Sequence, residues 1–314
     1  MENRVDILLA AYNGARFLAE QIESLFAQTH HPFRLLVRDD GSSDGTPALL
    51  AEHAAQRPDA IVLVDPAGPH LGASGSFARL LEYSDAPYVM FCDQDDVWLP
   101  GKIALLLDHM RAFEAQLPSQ TPILVHSDLT VVDESLHVRQ RSFWRSQRLD
   151  PCGGVALNRL LVENVVAGCA AMLNRPLARQ CVPIPPSAVM HDWWIALVAA
   201  ALGRIEHIPE ATMLYRQHAA NRVGAKRGGA VRMAGRALAF FGPQGYRGHL
   251  RQTQRQAQTL LERWGPSLRP ADRATVEIYA TLDNYGPLRR RWLLWRYGFR
   301  TASWLGNAKL YAGI

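Results

Sequence analysis

The chain is poor in cysteine and in long apolar runs, and each shortage removes a class of protein. Four cysteines in 314 residues, with no CxxC pair, argue against a disulfide framework or a zinc site and toward a reducing compartment. No apolar stretch approaches the roughly 20 residues needed to span a bilayer; the longest candidate, 195–202, is far shorter. The N-terminus enters a strand-like run at once, without a secretory signal pattern, so a cytoplasmic chain is expected. Gly72 and Gly75 do not complete a GxGxxG dinucleotide fingerprint, and internal repeats are absent. A hydrophobic fraction of 48% and a charged fraction of 20% leave a globular protein of one large or two smaller domains.

What is present begins with alternation. Short apolar runs at 5–10, 33–37, 61–64 and 88–92 are separated by helical patterns, which predicts a mostly parallel sheet with crossover helices. Phe17, Leu18, Ile22, Leu25 and Phe26 share one helical face, as do Ile103, Leu106, Leu107 and Met110. Thr46-Pro47 reads as a helix start. Polar loops follow three of the strands, at 12–14, 39–45 and 93–96. In open α/β sheets ligands bind beyond the carboxyl ends of the strands, so all three loops should meet at one edge.

The third loop is the most informative. Asp93-Gln94-Asp95-Asp96 leaves the buried-looking strand 88–92. Two like charges about 4 Å apart repel by roughly 4 kcal/mol at an effective dielectric near 20. Bound Mg²⁺ or Mn²⁺ would turn that repulsion into attraction, since both favour hard oxygen ligands. The bland alternative is a solvated acidic turn before a helix.

Four segments in order, AYNGxxFL, DDGSSDGT, DQDDVWLPGK and MHDWW…YRQHAANRVG, together resemble the inverting family 2 glycosyltransferases of GT-A fold. The likeness is to the bacterial rhamnosyltransferase-like members that build surface polysaccharides, and it spans about residues 5–224. It implies an α/β, Rossmann-like fold and a set of roles. Ala11, Tyr12 and Asn13 would lie along the nucleotide base, and Asp40 would accept the pyrimidine N–H, without distinguishing uracil from thymine. Asp44 would be a turn or capping residue. Asp93 and Asp95 would occupy the DxD positions, Asp95 as the direct metal ligand and Asp93 on ribose or metal, with His218 near the metal. Asp96 would support the loop or touch the sugar. Asp192 would be the catalytic base, with His191 orienting it or capping the next helix, and Trp193 or Trp194 offering a ring face to a sugar. The segment 69–77 departs from the family pattern, lacking the asparagines usual near its glycine.

The resemblance further implies a nucleotide-diphosphate donor, with dTDP-L-rhamnose as the leading candidate, and a saccharide or polyprenyl-diphosphate-linked acceptor. A UDP-hexose donor is the alternative within the same mechanism. A sugar-nucleotide pyrophosphorylase would need a glycine-rich loop after the first strand, which 10–16 lacks. The net charge of +5 conceals an asymmetry: through residue 221 there are 17 Lys+Arg against 25 Asp+Glu, and from 222 onward 17 against 4. A boundary is therefore expected there, between a GT-A domain at 1–221 and a basic, mainly helical region at 222–314. Aromatic and basic residues interleave at 289–297, as expected for a tail meeting anionic lipid headgroups. Nucleic-acid binding through this tail is the reading from another class; it leaves the acidic loops unexplained.

Overall fold

The computed structural model describes residues 3–66, 68–218 and 243–313. The first half is β1 (Val5–Ala11), α1 (Leu18–Phe26), β2 (Phe33–Asp39), α2 (Thr46–Gln56), β3 (Ile61–Leu63), α3 (Gly72–Tyr83) and β4 (Tyr88–Asp93). β3, β2, β1 and β4 lie side by side in that order, all parallel. The near-continuous apolar runs of β1 and β4 follow from burial on both faces, whereas β3, at the sheet edge, exposes Val62 and Leu63. Val5, Ile7 and Leu9 join one core with α1, while Leu8 joins the other with Phe77 of α3, the two-residue alternation of a strand. Asp6, the one charge inside β1, is fully buried and held by Arg34 at 2.8 Å and the Ser84 hydroxyl at 2.8 Å.

The second half departs from the parallel pattern. It comprises β5 (Val97–Trp98), α4 (Lys102–Glu114), β6 (Ile123–Val132), β7 (Val138–Gln140), α5 (Phe143–Gln147), α6 (Leu157–Leu160), β8 (Ala171–Asn174), α7 (Arg175–Cys181), α8 (His191–Leu202) and β9 (Arg204–Arg216). β8 enters between β4 and β6 antiparallel to both, and β9 runs parallel to β6 and antiparallel to β5. This mixed half positions the site. Met90 pairs with Met172 on β8, so the turn preceding β8, residues 168–170, lies beside Asp93 at the end of β4. Val97 pairs with Leu214, so the end of β9 comes back beside Asp95 and Asp96.

Four helices follow: α9 (Pro243–Trp264), α10 (Pro270–Ala280), α11 (Pro287–Arg296) and α12 (Trp304–Gly313). Leu250, Leu260, Val276, Tyr279, Leu293 and Leu294 are buried in the same core as Leu8 and Trp194. The boundary expected at 221/222 and the segment AANRVG fall largely or wholly outside the described residues. No helix among the described residues is long and apolar enough to cross a membrane.

Candidate active site

The acidic loop is held from both flanks by β9. The Arg216 N–H donates to Asp96 Oδ1 at 2.9 Å, and its Nε to the Asp95 carbonyl at 2.8 Å. The Arg216 guanidinium is buried over the Phe17 ring, 4.6 Å from its centroid, and pairs with Glu20. Beyond it, His218 Nε2 lies 2.7 Å from Asp95 Oδ2. Asp95 and His218 thus meet although 123 residues separate them.

Asp93 and Asp96 turn inward. With Cys169 from the 168–170 turn they form a group whose donor atoms all lie within 4.8 Å of one another. Burial, and then the charge of Asp95, pushes both carboxyls above the ordinary range. Asp96 Oδ2 is buried with no hydrogen-bond partner, a costly state for a carboxylate. Such an orphaned hard oxygen beside two further carboxylates fits Mg²⁺ or Mn²⁺. The Cys169 thiol does not suit these ions, because sulfur is a soft donor and burial pushes its pKa far up.

Lys102 was not foreseen in this role. Its ammonium is buried, donates to the Cys169 carbonyl at 2.5 Å and lies 3.8 Å from the centroid of the Trp98 ring. Burial lowers its pKa to about 8, against the raising influence of nearby thiols and carboxylates. With Arg216 it is a buried cation beside the acidic cluster.

Asp192, in the first turn of α8, lies close enough to this cluster for its charge to reach Asp93. Oδ2 accepts the Gly168 N–H at 3.2 Å and Oδ1 the Trp193 N–H at 2.7 Å. Burial nevertheless raises its pKa to about 6, outweighing those hydrogen bonds. A Cβ at Gly168 would come 3.0 Å from His191 Nε2 and 3.1 Å from Asp192 Cβ, so a larger residue there would press on both of these side chains.

Two expectations for its neighbours are corrected. His191 neither caps α8 nor hydrogen-bonds Asp192: both ring nitrogens are without partners, and the ring packs 4.3 Å from Phe77 and 5.0 Å from Phe91. Burial depresses its pKa to about 3, so it is neutral. Trp193 and Trp194 are both core residues, with indole N–H groups on the Leu160 and Cys181 carbonyls. They form the wall behind Asp192, and neither offers an open ring face.

The remaining loops meet at the same edge. Gln94 pairs with the backbone of Tyr12 at two points, accepting its N–H at 2.7 Å and donating to its carbonyl at 3.0 Å. A Cβ at Gly14 would fall 2.2 Å from Gln94 Oε1, so this clamp requires the glycine. Asn13, in the left-handed region at φ 49°, donates its N–H to the Ser42 hydroxyl oxygen at 2.8 Å and accepts the Ser43 N–H on its Oδ1 at 2.8 Å. Ala11, the last residue of β1, accepts the Asp40 N–H at 2.8 Å. Asp44 caps the start of α2 through the Thr46 N–H at 3.0 Å.

Asp40 is buried and heavily engaged. It accepts the Leu71 and Gly72 N–H groups at 2.7 and 2.8 Å and the Arg38 guanidinium at 2.5 Å. Burial pushes its carboxyl up, but these bonds prevail and hold it below the usual range. Its Oδ2 also lies 2.9 Å from Nδ1 of the half-exposed His70, whose ring leans on Tyr12 at 5.0 Å. The 69–77 segment, without asparagines, is thus tied to Asp40 through backbone N–H groups and a buried arginine.

The mixed sheet flanked by helices has the GT-A fold, and one edge of it gathers the acidic loop, the buried Asp192 carboxylate and the 12–14 and 39–45 loops. The family model "Glycosyl transferase family 2" matches residues 6–179, and the chain belongs to that family. A Shigella flexneri protein described as dTDP-rhamnosyl transferase RfbG is 28% identical over 223 residues, 69% of this chain and 74% of its own length. Other relatives matched over a similar stretch are covered to 59–66% of their lengths. Among solved structures, S. aureus TarS 1–349 with UDP-GlcNAc superposes at TM-score 0.56 and 15% identity, covering 99% of this chain and 89% of that one. A Pyrobaculum calidifontis mannosyltransferase with GDP-Man and Mn²⁺ does so at TM-score 0.51 and 18% identity, covering 98% and 79%. At these identities the structures speak for the fold.

Proposed function

We propose that the chain is an inverting, metal-dependent glycosyltransferase of cell-surface polysaccharide synthesis. It moves a sugar from a nucleotide diphosphate to a saccharide on a polyprenyl-diphosphate carrier, working peripherally at the cytoplasmic face of the membrane. The observation that carries this reading is the division of labour between carboxylates. Asp192 stands apart, buried and with raised basicity, as a base for an acceptor hydroxyl should. Asp93, Asp95 and Asp96 cluster where a diphosphate would leave. Asp95 would be the principal ligand of Mg²⁺ or Mn²⁺, with Asp93 and His218 beside it; the bound ion supplies positive charge against the departing diphosphate.

Inversion requires the acceptor oxygen to attack the anomeric carbon from the face opposite the diphosphate, while Asp192 takes the hydroxyl proton. Protonation of the leaving group by the protein is unnecessary in this scheme. Tyr12, Asn13 and Asp40 would receive the base, and a pyrimidine N–H would replace His70 on Asp40 Oδ2, the most exchangeable of that carboxylate's contacts. The donor we favour is dTDP-L-rhamnose, on the name of the Shigella relative; the UDP-GlcNAc in the TarS structure keeps a UDP-sugar as the second reading.

The test is a panel of dTDP-, UDP- and GDP-sugars in thermal-shift assays, with and without Mn²⁺. A shift with dTDP-rhamnose that needs Mn²⁺ is expected; a shift only with another nucleotide would reassign the donor. The Gln94 clamp gives a second check. Gln94→Ala removes two hydrogen bonds between the base loop and the acidic loop, and at roughly 1 kcal/mol net each nucleoside-diphosphate affinity should fall about tenfold or more. Titration calorimetry reads this directly, and unchanged affinity would show that the two loops act independently.

A further inference from the structure

Helix α11 has two opposed apolar faces, and only one of them is used inside the molecule. Leu293 and Leu294 are buried in the core. On the other side Leu288, Trp292 and Trp295 are 82%, 54% and 71% exposed. Their i, i+4, i+7 spacing places them within about 60° of arc on an α-helix. Exposed arginines border this stripe, Arg291 along one edge and Arg289 and Arg296 along the other. α12 lies alongside, linked by Arg291 Nε to the Tyr311 carbonyl at 3.2 Å. It adds Trp304 and Leu305, 69% and 54% exposed. Five of the eleven exposed large hydrophobics among the described residues therefore fall in this short stretch.

Charge selects the occupant. Residues 287–313 contain six Lys or Arg and no Asp or Glu. A second copy docked face to face would set arginine against arginine. A nucleic acid would meet the arginines but leave Leu288 and Leu305 without apolar partners. An anionic bilayer satisfies both features: arginines meet headgroup phosphates, while Trp and Leu enter the headgroup–acyl boundary, where tryptophan is favoured.

We propose that the outer face of α11 and α12 is an interfacial docking surface for anionic phospholipid, with its tryptophans in the headgroup layer and its arginines on the phosphates. The proposal rests on the reading of a lipid-linked acceptor.

The test uses the full chain and co-sedimentation with vesicles of phosphatidylethanolamine and phosphatidylglycerol, compared with phosphatidylcholine alone. The wild type should sediment with the anionic vesicles and be released by salt. Leu288→Ser/Trp292→Ser/Trp295→Ser should lower the partition coefficient about tenfold or more. Arg289→Gln/Arg291→Gln/Arg296→Gln should lower it to a similar degree and abolish the preference for anionic lipid. Unaltered melting curves would show that both variants remain folded. Equal partition of wild type and serine variant would overturn the proposal. So would a dimer in sedimentation velocity that the serine variant dissociates, or a preference for RNA or DNA over vesicles. Nucleotide-sugar turnover on a soluble acceptor, measured in parallel, separates the two readings: vesicle binding without turnover removes the transferase reading alone, and turnover without vesicle binding removes the docking surface alone.

Discussion

Asp192→Asn is expected to lower kcat by about 10²–10⁴, the usual contribution of a positioned general base, while donor affinity stays within about twofold. Asparagine keeps the shape of the side chain and can still accept the Gly168 N–H, which reaches Asp192 Oδ2 at 3.2 Å in the native site. It cannot take a proton from an attacking hydroxyl. The pH profile follows from the same environment. Burial holds the Asp192 carboxyl at about 6, so the base form dominates at neutral pH, and below about 6 the rate should fall tenfold per pH unit. Stability runs the other way. A carboxyl raised in the folded state makes folding less favourable as pH climbs from the ordinary carboxylate range through the folded value. The cost at neutral pH is on the order of 3 kcal/mol. Asp192→Asn should therefore melt no lower than wild type at neutral pH. A variant that is both inactive and markedly less stable would mean that Asp192 is chiefly structural.

The second large effect concerns the acidic loop. Chelation of divalent metal, or Asp95→Ala, should cut turnover by about a hundredfold or more, since charge stabilisation of a leaving diphosphate is worth several kcal/mol. Mn²⁺ should restore the chelated wild type and fail to restore the alanine variant. The loop itself should survive the substitution, because its frame comes from Arg216, on Asp96 Oδ1 at 2.9 Å and on the Asp95 carbonyl at 2.8 Å. Full turnover in the presence of chelator would remove the metal from the account and leave the carboxylates a different purpose.

The parts legible in the sequence were those that local pattern determines. The four parallel strands announced themselves as apolar runs, and the placement of polar loops at their carboxyl ends follows from topology. The meeting of Asp95 with His218 rested on resemblance, since nothing local links residues so far apart. What stayed hidden depends on register. That Cys169 lies beside Asp93 follows from β8 entering antiparallel to β4, which a short run such as 171–174 cannot declare. Lys102 carries no local signal of burial; only the packing of Trp98 and the 168–170 turn shows it buried. One of the two tryptophans beside Asp192 was expected to offer a ring face to a sugar, and burial assigned both to the core. The interleaved arginines and tryptophans of 289–297 were visible as composition, but which side of the helix faces outward was not.

The central claim is tested most directly by nucleoside-diphosphate release from dTDP-rhamnose and UDP-hexoses, measured for wild type and Asp192→Asn with acceptor-bearing membranes and Mn²⁺. The wild type should release nucleoside diphosphate from one of these donors in a Mn²⁺-dependent way, and the variant should lose nearly all release with donor binding intact. Release by Asp192→Asn at the wild-type rate would contradict the central claim.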